Sequence, residues 1–296
     1  MALSPLACTV RGCGLALERR PSAFVCANGH TYDVARSGYV NLLQPQDRRS
    51  LAAGDSKATV EARARLLAAR VGTAVLEAFV ECAIALDRAG EGVVVDLGSG
   101  AGDALAAVAE RRGMPGIGID LSTAAAEVAA RKFPSQTWIV ANADRRLPLL
   151  DRSVALVLSL NARRHAAECA RVLTPSGFLL VAVPAPDDLI ELRHLIQGRA
   201  IERDRTPAVL AEHEPYFTLK ARAVARERQP LSRESVLDLL RVSYRGARRR
   251  DAARIEAMQA MDVTLASDLL CFASNGQQPA PTSGRSARGS RPVDPP

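Results

Sequence analysis

The chain has 296 residues, 48% of them hydrophobic, and a formal net charge of +7 with only three lysines, Lys57, Lys132 and Lys220. That length allows one large domain and a smaller one, and the lack of any run of eighteen apolar residues excludes a membrane-spanning helix. The positive charge is nearly all arginine, whose planar fork suits phosphate and guanine edges, although a biased base composition explains it equally well. Arg11 falls where a signal peptide needs its apolar stretch, so a cytoplasmic protein is expected.

Three of the six cysteines fall in the first 26 residues. With His30 they give the spacing C-x4-C-x12-C-x3-H, formed by Cys8, Cys13, Cys26 and His30. Disulfides are rare in a reducing cytosol, whereas four such donors in two close pairs complete a closed tetrahedral zinc site. Gly12, Gly14 and Gly29 supply the backbone freedom that tight ligand knuckles need. The stretches "LALERRPSAFVC" and "HTYDVA" suit short strands but cannot bury a core, so metal would supply the folding energy. Free thiols on a mobile arm are the alternative. Cys82 and Cys271 sit in apolar contexts and read as small core residues. A zinc-binding domain is therefore expected over 1–36, followed by a basic linker and helix over 37–70.

The next domain, 71–275, reads as alternating α/β. "VVVDLGSGAG" at 93–102 is a buried parallel strand ending in an acid and a glycine-rich turn, and "DALAAVAERR" continues it as a helix. "GIGID" ends at Asp120, and "LSTAAAEVAARKF" follows with Ser122 as its N-cap. This β-α-β unit puts a carboxylate where it accepts from both hydroxyls of a ribose. Asp103, where a dinucleotide site wants a third glycine, argues against a pyrophosphate. Further strands are expected at "TWIVAN", 154–160, 177–184 and "VTLASDLLCFAS", with a helix in "RRHAAECARVL". His165, His194 and His213 each read as surface or packed residues. Residues 276–296 are rich in Pro, Gly, Ser and Arg, and a disordered tail is expected there.

Asp96, the glycine turn, Asp120 and the strand before Asp144 resemble the class I S-adenosylmethionine-dependent methyltransferases. The resemblance implies a Rossmann-like α/β sheet. Gly98, Gly100, Ala101 and Gly102 would line the methionine and ribose, with Asp96 near the methionine amine, Asp120 on the ribose and Asp144 at the adenine. Neither an Asn-Pro-Pro-Tyr loop nor a Pro-Cys pair occurs, which disfavours exocyclic amino and carbon-5 methylation.

Taken with the cysteine cluster, "GHTYDVARSGYVNLL", the "RRS" and "GDS" elements, "ARVLTPSG" and "VPAPDDLIELR" resemble the RlmA-type ribosomal RNA guanine-N1 methyltransferases. That family resemblance implies a fold of a class I methyltransferase sheet with a small N-terminal zinc-ribbon domain. It also implies methylation of a guanine N1 in a hairpin loop of large-subunit (23S) ribosomal RNA, and action as a homodimer. On it, Arg48 and Arg49 would contact phosphate and Asn41 would make polar contacts near the acceptor. Asp188, standing where relatives commonly have a His, would belong to the cofactor pocket. It is also, by position, a candidate for the proton acceptor. The chain departs from the family at "ARVG", 69–72, and "VSYRG", 242–246. The arginine-rich run 241–254 is either a basic rim, with Tyr244 placed to stack a base, or a solvated helix. A small-molecule methyltransferase and a noncatalytic zinc-ribbon RNA-binding protein are the rival readings.

Overall fold

The computed structural model describes residues 4–45, 54–86, 92–198, 202–243 and 259–277. Three short antiparallel strands come first: β1 (Leu17–Arg19), β2 (Ala23–Cys26) and β3 (Thr31–Asp33). A ribbon this small gathers only Leu17, Phe24 and Tyr32 as large buried side chains of its own strands, too few to hold it folded alone. It is instead docked. Leu6 bridges Leu149, the Ala7 amide donates to the Pro148 carbonyl, and the Leu150 amide donates to the Pro5 carbonyl.

The large sheet comprises β4 (Val40–Asn41), β5 (Val93–Leu97), β6 (Gly116–Asp120), β7 (Thr137–Val140), β8 (Val154–Leu160), β9 (Leu173–Pro184), β10 (Phe217–Leu231) and β11 (Met261–Ser274). Their spatial order is β10-β11-β9-β8-β5-β6-β7-β4. The strands from β4 to β9 pair in parallel, while β11 pairs antiparallel with both β9 and β10. Central strands carry near-continuous apolar runs because both faces are covered. One face packs on α2 (Thr73–Ala85), α3 (Asp103–Arg112) and α4 (Thr123–Lys132), through Phe79, Leu105, Ala129 and Trp138. The other face merges with the three-stranded ribbon in one core that joins Leu6, Phe24 and Val40 to Ile119, Val157 and Phe272. This face also carries α5 (Ala166–Val172) and α7 (Thr206–His213).

A third apolar cluster joins α1 (Lys57–Ala68), α6 (Ile190–Gln197) and α8 (Arg233–Ser243) through Leu66, Leu192 and Leu239. Ser56 caps α1 by accepting the Thr59 amide, and Ser122 caps α4 by accepting the Ala125 amide, as its spacing predicts. Arg65 on α1 grips Asp238 on α8 with two bonds of 2.7 Å.

The structure departs from the sequence reading at several elements. Val40–Asn41, inside the expected linker, is the edge strand of the large sheet, because parallel pairing with β7 captures even two residues. The strand expected at 177 begins at Leu173. The fifteen-residue β10 is not evident in the sequence at all: most of its side chains are exposed, so it shows no apolar alternation, and pairing with β11 defines it.

Candidate functional site

The Sγ and Nδ1 atoms of Cys8, Cys13, Cys26 and His30 all lie within 4.8 Å of one another. Cys8 and Cys26 each place Sγ 3.4 Å from His30 Nδ1, and Cys13 and Cys26 are 3.9 Å apart. Tetrahedral zinc with ordinary bond lengths requires donors roughly 3.5–3.8 Å apart, so the quartet fits that ion. Burial pushes the Cys8 thiol up, while the Leu15 amide draws Cys13 down toward the thiolate. Behind the ligands, the Tyr32 hydroxyl lies 3.2 Å from Cys8 Sγ and accepts the Thr9 amide at 3.1 Å. Thr9 Oγ1 in turn donates to the Leu42 carbonyl at 2.6 Å and accepts from Gln44.

At the carboxyl ends of the large sheet, strand order reverses between β5 and β8, the place where open α/β sheets bind ligands. A cavity of about 1170 Å³ opens there, lined by Asp96, Gly98, Gly100, Ala101, Asp188, Asn161 and Arg63 among others. It is larger than the roughly 300–1,000 Å³ of a single small-molecule site, so it has room for a donor and part of an acceptor.

The glycine turn has three different local reasons. Gly98 and Gly102 have φ of +72° and +89°, and a Cβ on either would lie 2.5 Å from Ala162 Cβ or 2.3 Å from Trp138 Cη2. Gly100, at φ +54°, meets nothing within 4 Å and faces open space. Its amide donates to Asp120 Oδ2 at 2.9 Å, while Ser122 donates to Oδ1 at 2.7 Å. Asp96 is fully buried at the end of β5, and its Oδ1 has no hydrogen-bond partner. Burial, and then the charge of Asp120, pushes the Asp96 carboxyl well above the usual range. Asp120 is also raised by burial, against the pull of the Ser122 and Gly100 amides and the Arg63 charge. Asp96 lines the cavity with a buried oxygen that lacks a donor, which suits a ligand that carries an ammonium, while Asp120 stands outside the lining with each oxygen accepting one amide.

Other expected residues lie elsewhere. Asp144 is outside the cavity lining; its Oδ2 accepts from Arg163 at 3.2 Å and its amide donates to Asn142. Asn41 sits on the exposed sheet edge and accepts the Leu43 amide. Arg48, Arg49, Tyr244 and all of the run 241–254 beyond Ser243 lie outside the described residues, as does the tail from 278. Of the three histidines, His165 and His194 are exposed and His213 is buried. Arg63 was missed: it lines the cavity, pairs with Asp55 at 3.2 Å and faces Asp120. The turn that precedes its helix was the available signal, since Gly54 packs so closely on Ser122 that a Cβ there would come within 2.6 Å of the Ser122 amide.

A parallel sheet that reverses order over this cavity and ends in an antiparallel strand is the arrangement of a class I S-adenosylmethionine-dependent methyltransferase, and the four-donor cluster makes its N-terminal module a zinc ribbon. Comparison narrows the class. Residues 7–51 match the family model "RlmA, N-terminal", a zinc ribbon, and residues 94–177 match "Methyltransferase domain". A 23S rRNA (guanine(748)-N(1))-methyltransferase of Streptomyces fradiae is 38% identical over 219 residues, covering 73% of this chain and 75% of its own. A Micromonospora griseorubida protein with the name "Putative 23S rRNA (guanine-N(1)-)-methyltransferase" is 34% identical over 258 residues, 80% of this chain and 85% of its own. Among solved structures, the YcgJ protein of Bacillus subtilis is similar at a TM-score of 0.46 and 20% identity, over 67% of this chain and 97% of that one. The chain belongs to the family of 23S rRNA (guanine-N(1)-)-methyltransferases.

Proposed function

We propose that this protein transfers a methyl group from S-adenosyl-L-methionine to N1 of a guanine in a hairpin loop of 23S ribosomal RNA. One observation carries the reading: a four-donor zinc ribbon is fused through a continuous core to a methyltransferase sheet, in a chain 38% identical to a named guanine-N1 methyltransferase.

Bound S-adenosyl-L-methionine supplies a methyl group on a sulfonium, ready for in-line displacement. The chain's own residues hold and orient it. Asp96 would accept from the methionine ammonium, relieving its unpartnered buried oxygen. Gly98, Gly100, Ala101 and Gly102 would let the backbone approach, and Asp120, already aimed by the Gly100 and Ser122 amides, would hold the ribose. Asp144 would meet the adenine after exchanging its Arg163 partner. Cys8, Cys13, Cys26 and His30 would hold a structural zinc that stabilises the ribbon. Asn41, Arg48 and Arg49 would contact the RNA beyond it. A second copy would pair across the exposed edge of β10, where Leu219 and Val224 are 39% and 54% exposed. The cytoplasm, where ribosomal RNA is found, is the proposed place of action; no helix among the described residues is long and apolar enough to cross a membrane.

The test is reverse transcription of 23S rRNA from cells with and without the gene. A methyl on guanine N1 blocks the pairing edge and halts extension. A single stop lost on deletion supports the reading, and an unchanged pattern turns it toward a small-molecule acceptor.

A further inference from the structure

Methylating guanine N1 requires something to take the N1 proton, since at neutral pH that nitrogen carries hydrogen and offers no lone pair. We propose that Asp188 is that proton acceptor, an inference that rests on the guanine-N1 reading above.

Among the described residues, the carboxylates lining the cavity are Asp96, Asp103 and Asp188, and no His, Glu, Cys or Tyr lines it. Asp96 lies buried beneath the glycine turn, and Asp103 is ion-paired with Lys132 on α4. Asp188 remains.

Asp120 and the β6 and β7 ends lie on one side of β5, where the nucleoside belongs. Asp188 follows β9, on the opposite side of the reversal between β5 and β8, and it lines the same cavity. It therefore faces the part of the space that the nucleoside leaves free, together with Asn161 and Ser267.

Asp188 Oδ1 accepts the Ala266 amide at 2.9 Å, and Arg193 donates to the carbonyls of Pro186 and Asp188, so the loop is held from β11 and from α6. Next to it Leu189 is in the left-handed region at φ +55°, a strained state for a branched side chain that packing must impose. Oδ2 has no hydrogen-bond partner among the described residues, and Asp188 as a residue is half-buried and lines the cavity, so one oxygen is aimed and the other is available. The charged groups around it are Arg193, Asp187, which pairs with Arg226, and Arg205, with Arg203 also lining the cavity. Burial is the largest influence and pushes the carboxyl up to about 6, against the pull of the Ala266 amide and Arg193. That brings it nearer the working pH, where a general base is most effective.

The step balances. The N1–H proton passes to Asp188 Oδ2, and the N1 electron pair forms the bond to the methyl carbon. The carbon–sulfur bond breaks with its pair on sulfur, leaving a neutral thioether and N1-methylguanine. Guanine presents an N1–H, which Oδ2 accepts while Oδ1 stays on the Ala266 amide; adenine presents an unprotonated N1, which a carboxylate repels. The same residue therefore also selects guanine.

Asp188→Asn tests this, because it retains an acceptor for Ala266 but not the charge. The measurements use the full-length zinc-loaded protein and a 23S rRNA fragment carrying the guanine mapped by the extension stop. Single-turnover methylation should fall by about 100-fold or more, and the wild-type fall in rate below about pH 6 should disappear. Calorimetric affinity for S-adenosyl-L-methionine should stay within about twofold, and Asp188→Glu should restore a pH inflection. Without cofactor, wild-type protein should bind the guanosine fragment more tightly than its 1-methylguanosine counterpart, and Asp188→Asn should lose that preference. A variant that keeps wild-type rate, inflection and preference overturns the assignment. So does one whose rate falls only in step with lost S-adenosyl-L-methionine binding. If the wild-type protein methylates no 23S rRNA, the guanine-N1 reading itself falls, and the assignment with it.

Discussion

The guanidinium of Arg171 donates to the carbonyl of Leu149 at 2.8 Å, and Leu149 is the residue that bridges Leu6 of the zinc ribbon. Arg171 is buried and also binds the Leu147 carbonyl, Glu168 and Asp151. One side chain thus secures both α5 and the segment on which the ribbon docks. Arg171→Met should destabilise the protein by about 3–5 kcal/mol in urea unfolding, since the half-buried Glu168 and two carbonyls lose their partners. Proteolysis within residues 4–45 should accelerate alongside. Unchanged proteolysis would mean the ribbon is held by its apolar contacts alone.

Chelating the metal should release β1–β3 first. Hydrogen exchange should rise across residues 6–34, while β5, β8 and β9 remain protected, because the ribbon's own strands bury few large side chains. Tyr32→Phe removes the hydroxyl beside Cys8 and should weaken zinc about 10-fold in chelator competition.

Gly118→Ala places a methyl 2.3 Å from Trp138 Cζ3. The indole is fully buried and also walls the turn at Gly102, so overpacking should cost about 1–3 kcal/mol and weaken S-adenosyl-L-methionine binding. Trp138 is the only tryptophan, and its fluorescence reports the displacement directly.

His213 donates from Nδ1 to the Val209 carbonyl at 2.7 Å, accepts from Arg164 at Nε2 and stacks on Phe272. Burial, and then the Arg164 charge, lowers its pKa, so the folded protein keeps it neutral. The unfolded chain binds the proton more readily. Its contribution is complete above the unfolded value of about 6.5 and is lost as pH falls through and below it. His213→Gln, which does not titrate, should show a shallower loss of stability between pH 7 and pH 5. Equal slopes would exclude His213 as the source.

What was legible beforehand was chemistry that is local in the chain. Cys8, Cys13, Cys26 and His30 could be grouped by spacing because short knuckles force ligands together. Asp96, the glycine turn and Asp120 belong to one β-α-β unit, so their juxtaposition follows from hydrophobic periodicity and short connections. Ser122 was readable as a cap for the same reason.

What was hidden depends on distant partners. Arg63 reaches the cavity only because residues 54–56 fold back onto Ser122, where the Ser122 hydroxyl donates to the Asp55 carbonyl at 2.6 Å. Arg65 and Asp238 are 173 positions apart. β10 takes its form from β11, and Val40–Asn41 from β7; neither has a pattern of its own. The sequence leaves His213 as either a surface or a packed residue, and only the fold shows that it carries the Arg164 contact.

The zinc ribbon is stitched to the large domain twice, through Leu6 at Leu149 in the β7–β8 connection and through Val40–Asn41 along β7. Two attachments remove the hinge that a single tether would leave. On the proposed reading the molecule then works as a calliper of fixed jaw: the span from metal knuckle to methyl cavity is set in the fold, and an RNA is accepted when its anchoring stem and its reactive base stand that far apart.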